Sequence, residues 1–300
     1  MVKYIFTNII GSFVFNEKLE LVDKSDSEET LLKKFKDIQK PDNKVLKQIL
    51  QYFHQKQFFQ QFYEKNLAIT KQKIKQSVTK DLLVIHTINV IEDLTKIINM
   101  LITRLRDLYE LYNPEFSKYA FDNEKFVFEI LNKDKKQLLK EIHVKETMGA
   151  DLEGFDLDNI MGLAKQIKTL YEHKTKHEQY LEKTMQKLCP NMRIITGAVL
   201  GAKLIEHAGS LEHLSELPAS TIQLLGAEKA LFRHMRTGAK CPKYGVLFEH
   251  PFVAQAKRQI QGKVARILAD KISIAVKVDF FNGKFIGDKL LNDIKKRIKQ

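Results

Sequence analysis

The sequence predicts a mainly α-helical protein with a small α+β N-terminal domain, a long antiparallel coiled-coil arm and an all-helical C-terminal domain. Three observations carry this expectation. The chain opens with short apolar runs separated by turn residues. Two heptad seams occupy its middle. Nine of the 13 glycines and three of the six prolines lie after Met192, so the last third is dense in turns. The corresponding domain limits are 1–80, 81–186 and 187–300. The 300 residues, 44% of them hydrophobic, suffice for a sizeable core.

Val2–Ile9 is apolar, Gly11 breaks it, and Phe13-Val14-Phe15 resumes it. Asn16-Glu17-Lys18 reads as a turn into a strand from Leu19 to Val22, giving hairpin-connected strands. Ser25-Asp26-Ser27 can cap a helix that has Glu28 and Glu29 in its first turn. Val45 to Tyr63 places aromatic and aliphatic residues at helical spacing, which favours one helix packed on the hairpin over a disordered Gln/Phe tract. Ile91, Leu94, Ile98, Leu101, Leu105, Leu108 and Tyr112 step by three and four residues and form a heptad seam. Asn113-Pro114 ends it. A second seam runs through Ile160, Leu163, Ile167 and Leu170, is interrupted at Lys174, and resumes at Leu181, Met185 and Leu188. An arm of two antiparallel helices with a helical insert at its tip follows. Beyond Pro190 the expected helices are Ile194–His207, Leu211–Leu214, Ala219–Leu225, Ala227–Met235 and Phe252–Lys277.

Lys and Arg outnumber Asp and Glu by 50 to 37, a net charge of +13. The excess is local: residues 187–300 carry 20 basic and 9 acidic residues, the first 186 carry 30 and 28. A concentrated positive field predicts a polyanionic partner. No apolar run approaches the roughly 20 residues of a membrane span, and the N-terminus lacks a signal-peptide core. A cytoplasmic protein without membrane association is expected. Cys189 and Cys241 are expected to be reduced thiols.

From Lys229 to Arg266 there are nine basic residues and one acid, Glu249. Lys229, Arg233 and Arg236 share one helix face. Gly226 leads into a helix expected to start at Ala227, whose first backbone N–H groups suit phosphate oxygens. His234, Tyr244 and His250 lie within the basic stretch and can stack on unpaired bases. Cations that neutralise phosphates together with planar groups that stack are what RNA requires.

Residues 186–282 resemble the Nop domain of box C/D ribonucleoprotein core proteins. The likeness rests on Gly197-Ala198-Val199-Leu200-Gly201-Ala202-Lys203, Leu217-Pro218-Ala219-Ser220, Gly226-Ala227-Glu228-Lys229-Ala230-Leu231-Phe232, Pro242-Lys243-Tyr244-Gly245, His250-Pro251 and Gly262-Lys263-Val264-Ala265-Arg266. Where the family carries Trp and His before Pro-Glu, this chain has Leu111, Tyr112 and Asn113. The chain ends without the long charged tail of eukaryotic members, so it resembles the shorter archaeal type. The resemblance implies a non-catalytic scaffold for guide-RNA-directed 2′-O-ribose methylation of rRNA or tRNA. Its implied partners are box C/D guide RNA, a small kink-turn-binding protein, and the methyltransferase fibrillarin, which would hold S-adenosylmethionine. This chain itself would need no cofactor. Fibrillarin would sit on the N-terminal domain. The coiled coil would pair two copies through Ile91, Leu94, Ile98, Leu101, Leu105, Leu108, Leu163, Ile167 and Leu170. The implied RNA-binding set is Gln223, Gly226, Ala227, Glu228, Lys229, Arg233, His234, Arg236, Lys240, Lys243, Tyr244, His250 and Arg266, with His250 as the base-stacking ring. Arg266 fits a structural role equally well.

Rival chemistries have thin support in the residues. Gly197 to Gly201 is the one glycine pattern that could serve a methyltransferase, and helix packing explains it as well. His173 and His177 have zinc-compatible spacing without an evident third ligand. A spliceosomal-type relative would diverge from the Gly-Ala-Glu-Lys signature. An RNA-free coiled-coil assembly protein with a basic protein-binding domain would lack a steep salt response.

Overall fold

The computed structural model of the chain describes residues 2–35 and 38–299. Contacts divide them into two compact units at Thr79 and Lys80. In the first unit, β1 (Lys3–Asn8) and β2 (Gly11–Phe15) form the expected antiparallel hairpin, with β3 (Leu21–Ser25) on the other side of β2. The third strand begins at Leu21 rather than Leu19, because Leu19 takes a φ of 60° in the turn. The Asn16 side chain closes that turn by accepting from the Glu20 N–H at 2.8 Å. Helix α1 (Glu28–Lys34) follows, and β4 (Ile38–Gln39) then pairs parallel to β1, giving the order β3-β2-β1-β4. Strand β2 reads as an unbroken Phe-Val-Phe run because both of its faces are buried. Val14 joins Ile5 and Leu31 of α1, and Phe13 and Phe15 join the residues of α2 (Asn43–Phe53) and α3 (Lys56–Gln76).

The single helix expected over Val45–Tyr63 is therefore two, turning at His54 and Gln55. Phe53 explains the turn. Its ring meets those of Phe6, Phe13, Phe15, Tyr52, Phe58 and Phe62 at 4.8–6.2 Å. A straight helix would carry Phe58 about 140° around the axis from Phe53 and out of that cluster.

The second unit begins with the arm, α4 (Lys80–Tyr112) packed on α8 (Phe155–Leu188). The helices are antiparallel: Val84 to Ile91 share a core with Leu181 and Met185, and Ile98 to Tyr109 share one with Ile160 to Ile167. Besides Thr87, the buried α4 positions are Val84, Ile88, Ile91, Ile98, Ile102, Leu105 and Tyr109, an alternation of four- and three-residue steps with half-buried Thr95 in the gap. The sequence seam shares Ile91, Ile98 and Leu105 with it, but its other stripe lies one position off. Leu94 and Leu101 are half-buried and Leu108 is exposed. Ile102 and Tyr109 take their place because the tip insert covers that side, α6 Phe126 meeting the Tyr109 ring at 5.4 Å. On α8 the seam passes through Lys174, which pairs with Glu178 at 3.8 Å, instead of stopping there.

The tip comprises α5 (Pro114–Tyr119), α6 (Asn123–Asn132) and α7 (Lys135–Glu141). Arg106 of α4 closes it, donating to the Ser117 and Ala120 carbonyls at 2.6 Å and to Asn123 at 3.0 Å. Its guanidinium lies 4.3 Å over the Phe126 ring.

After the arm come α9 (Pro190–Thr196), α10 (Ala198–Ala208), α11 (Leu211–Glu216), α12 (Ala219–Leu224) and α13 (Glu228–Thr237). A 3₁₀ turn (Val246–Glu249), α14 (Pro251–Ala254), α15 (Gln261–Phe280) and α16 (Gly287–Lys299) complete the chain. The helix expected over Ile194–His207 is broken at Gly197, and that over Phe252–Lys277 becomes α14 and α15. Helix α16 had no counterpart in the sequence reading, although Leu290, Ile294 and Ile298 repeat at four-residue spacing. Helix α15 is the central strut: Val264, Ala265, Leu268, Ala269, Ile272, Ala275 and Val276 are buried in the core that also holds the arm's root. At its end, buried Asp279 accepts from the Asn191 and Met192 N–H groups at 3.1 and 2.8 Å and so caps α9 from a distance. Burial lifts its carboxyl above the ordinary range against the pull of those donors. Lys203 of α10 bridges Glu92 on α4 at 3.2 Å and Glu249 at 2.8 Å.

Candidate nucleic-acid interface

The basic stretch is organised around two interlocked turns. After α12 the chain turns at Gly226, whose φ of 83° lies in the left-handed region. A Cβ there would also fall 2.5 Å from a Val246 methyl. Gly245 approaches from the facing turn, so close that a Cβ on it would lie 1.8 Å from the Leu225 carbonyl oxygen. Backbone bonds join the two segments: Gly245 N–H donates to Gln223 O at 3.0 Å and Val246 N–H to Leu225 O at 2.8 Å. The buried Gln223 amide donates to Lys243 O at 2.6 Å. Small residues at both turns are a steric requirement of this crossing.

Helix α13 leaves that crossing one residue later than expected, with Ala227 as its N-cap. Glu228 Oε1 accepts from the Gly226 N–H at 2.6 Å, so an acid of the chain already occupies one donor at the helix start. No residue of α13 is buried. Lys229, Arg233 and Arg236 are exposed on one face, and none enters an ion pair among the described residues. Phe232 and Met235 lie to one side of them, 62% and 71% exposed. The helix is held at its base and presents two chemistries along its length: a cationic stripe and an apolar one.

Lys240 and Lys243 are exposed in the following loop, the Lys243 stem packing on Gly262 of α15. His234 is half-buried and its Nδ1 bonds to Ala239 O, so it braces this loop. Tyr244 donates its hydroxyl to Gln261 at 2.9 Å. Arg266 is exposed one turn beyond Gly262 and lines a cleft of about 550 Å³ with Ser220, Gln223, Asp270 and Arg297. Hydrogen bonds and contacts thus connect Gln223, Gly226, Lys243 and Tyr244, with Arg266 reaching them through the cleft.

His250 does not join this surface. Its ring is 6% exposed, bonds to Ile195 O through Nε2 at 2.9 Å, and accepts from the Phe252 N–H through Nδ1. Burial holds its pKa below the ordinary imidazole value. The stacking role implied for it has no exposed ring to act through. In the arm, Ile91, Ile98, Leu105 and Ile167 are likewise buried within a single chain. Apolar residues left outward on α4 are Leu82, Leu83, Val90, Ile97, Met100, Leu108 and Leu111, of which Leu83, Val90, Ile97 and Leu111 fall on one seven-residue period that has Arg104 at its remaining step. Gly201 spaces α10 against Met185 and Thr196, which accounts for the small-residue pattern by helix packing.

The sequence reading missed Phe248, whose ring stacks on Tyr244, and Arg297, which shares the cleft with Arg266. Their sequence signals are faint: a four-residue aromatic spacing, and a short apolar repeat in a strongly charged terminal helix.

Residues 90–300 match the protein family described as Nop, snoRNA binding domain, fibrillarin. An uncharacterised NOP5 family protein of Methanocaldococcus jannaschii is 38% identical over 274 residues, covering 86% of this chain and 66% of that protein. Nucleolar protein 56 of Caenorhabditis elegans is 35% identical over 72% of this chain and 49% of its own length. Nucleolar protein 56 of Homo sapiens is 33% identical over 77% of this chain and 43% of its length. The chain therefore spans about two thirds of these relatives or less. A chain from the crystal structure of a fibrillarin/Nop5p complex is similar over 98% of both chains, at 26% identity and a TM-score of 0.48.

Proposed function

The chain belongs to the Nop family, and from that premise we propose that it is the RNA-binding scaffold of a box C/D ribonucleoprotein that directs 2′-O-ribose methylation. One observation supports this reading above the others: α13 carries three cations on one face, none of them ion-paired among the described residues, and is anchored by a sterically tight glycine crossing. Lys229, Arg233 and Arg236 would neutralise successive phosphates and release counterions. Lys240, Lys243 and Arg266 would extend the track along the loop and α15. Phe232 and Met235 on the same helix would meet the small kink-turn-binding protein, so that RNA and protein are gripped together. The chain would not catalyse methylation. Fibrillarin, with its S-adenosylmethionine, would do so, and the scaffold's contribution to rate would be the positioning of catalyst against target ribose. Two copies would associate through the outward α4 stripe of Val90, Ile97 and Leu111. The guide RNA supplies target sequence by base pairing, which suits a protein face that reads shape and charge.

Electrophoretic shifts with kink-turn RNA, with and without the kink-turn-binding protein, test the reading. We expect a composite complex whose affinity falls steeply with salt. Lys229→Ala with Arg233→Ala should lower the log–log salt slope by roughly 1.4–1.8, two phosphate contacts' worth, and leave fibrillarin binding intact. A wild-type complex indifferent to salt, or equal loss of RNA and fibrillarin, would reject it.

A further inference from the structure

Beside the cationic helix lies a pair of stacked rings that the charge argument does not use. Tyr244 and Phe248 are nearly parallel, 14° apart, with centroids at 5.1 Å. Tyr244 is the inner ring, half-buried and fixed by its hydroxyl bond to Gln261, itself buried at the start of α15. Phe248 is the outer ring and remains 45% exposed. It stands in the 3₁₀ turn whose first residue, Val246, is bonded to Leu225 and packs against the Gly226 turn from which α13 springs. The adjoining acid, Glu249, is held by Lys203 through both carboxylate oxygens, at 2.8 and 2.9 Å, so the ring does not sit beside an unpaired anion. An aromatic face immobilised from behind by a ring next in sequence to Lys243 is a stacking platform for a planar, negatively tethered group.

We propose that Phe248, backed by Tyr244, stacks on an unpaired base of the RNA whose phosphates α13 and Lys243 engage. This rests on the RNA-binding reading and adds a contact to it. Stacking on π faces tolerates any base, so Phe248 would select for an unstacked nucleotide, not for its identity.

The test uses the full chain with the kink-turn-binding protein and a kink-turn RNA carrying 2-aminopurine at each unpaired position in turn. The wild-type complex should quench the probe at one position. Phe248→Leu keeps apolar bulk without a π face; it should relieve that quenching and weaken RNA binding about ten- to a hundredfold. Phe248→Trp should restore both. Quenching and affinity in Phe248→Leu equal to wild type would overturn the stacking inference and leave the RNA reading standing. A wild type that binds no RNA would remove both. Loss of the kink-turn-binding protein in the absence of RNA, with quenching unchanged, would assign the ring to that protein and overturn the proposal. Thermal melts of Phe248→Leu and Phe248→Trp that match wild type exclude misfolding as the cause.

Discussion

His250 acts from inside the fold, where its ring holds two hydrogen bonds. As a neutral ring it donates from Nε2 to Ile195 O and accepts at Nδ1 from Phe252, which fixes its tautomer and caps α14. Protonation would put a hydrogen on Nδ1, facing the Phe252 N–H. Burial holds its folded pKa below the unfolded value of about 6.5, against the opposing pull of the Ile195 carbonyl. The unfolded chain takes up the proton first as pH falls, so the stabilisation is full above about pH 6.5 and is lost on acidification. Thermal melts between about pH 7.5 and about pH 5 should show that loss in wild type and a smaller one in His250→Asn, which keeps a cap but cannot titrate. Identical slopes would show that the ring's protonation is not linked to folding. The cations were legible in the sequence because exposed Lys and Arg at helical spacing need no tertiary information to be placed. Whether a histidine faces inward or outward depends on which carbonyl lies opposite, here 55 residues away, and no local pattern carries that.

At the scale of the element, the arm separates two stripes that look alike as sequence. Ile91, Ile98 and Leu105 were legible as a seam because the heptad period is strong. The companion positions Ile102 and Tyr109 were not, since the tip insert, and not the partner helix alone, decides which flank is covered. The consequences for mutation differ. Leu105→Ala should cost about 2–5 kcal/mol of stability through an internal cavity and leave subunit association to follow folding. Lysine at Val90, Ile97 and Leu111 together should leave the melting temperature near wild type while halving the mass seen by light scattering. An unchanged mass in that triple variant would reject the outward stripe as the proposed contact between two copies. The break in the helix expected over Val45–Tyr63 has a similar origin. Phe53 folds α2 against α3 because six rings converge on it, a long-range reward that no proline or glycine announces.

For the whole molecule, the division at Thr79 and Lys80 predicts independent folding. Calorimetry of the full chain should resolve two transitions, and residues 80–300 alone should retain one of them together with full affinity for kink-turn RNA. A single transition, or a fragment that fails to bind, would show that the units stabilise each other. Within residues 80–300 no such partition is available. Val84, Ile88 and Ile91 at the root of α4 lie in one apolar core with Leu204, Ile222 and Leu268, and Lys203 ties the same root to the turn that carries Phe248. The arm is thus less a lever bolted onto an RNA clamp than the keel on which the clamp is laid. A lesion at Ile88 would depress RNA affinity without touching a phosphate, by shrinking the fraction of molecules in which the glycine crossing is assembled. Such a variant should regain normal affinity on cooling toward its stability maximum, a recovery denied to any substitution that removes a cation outright.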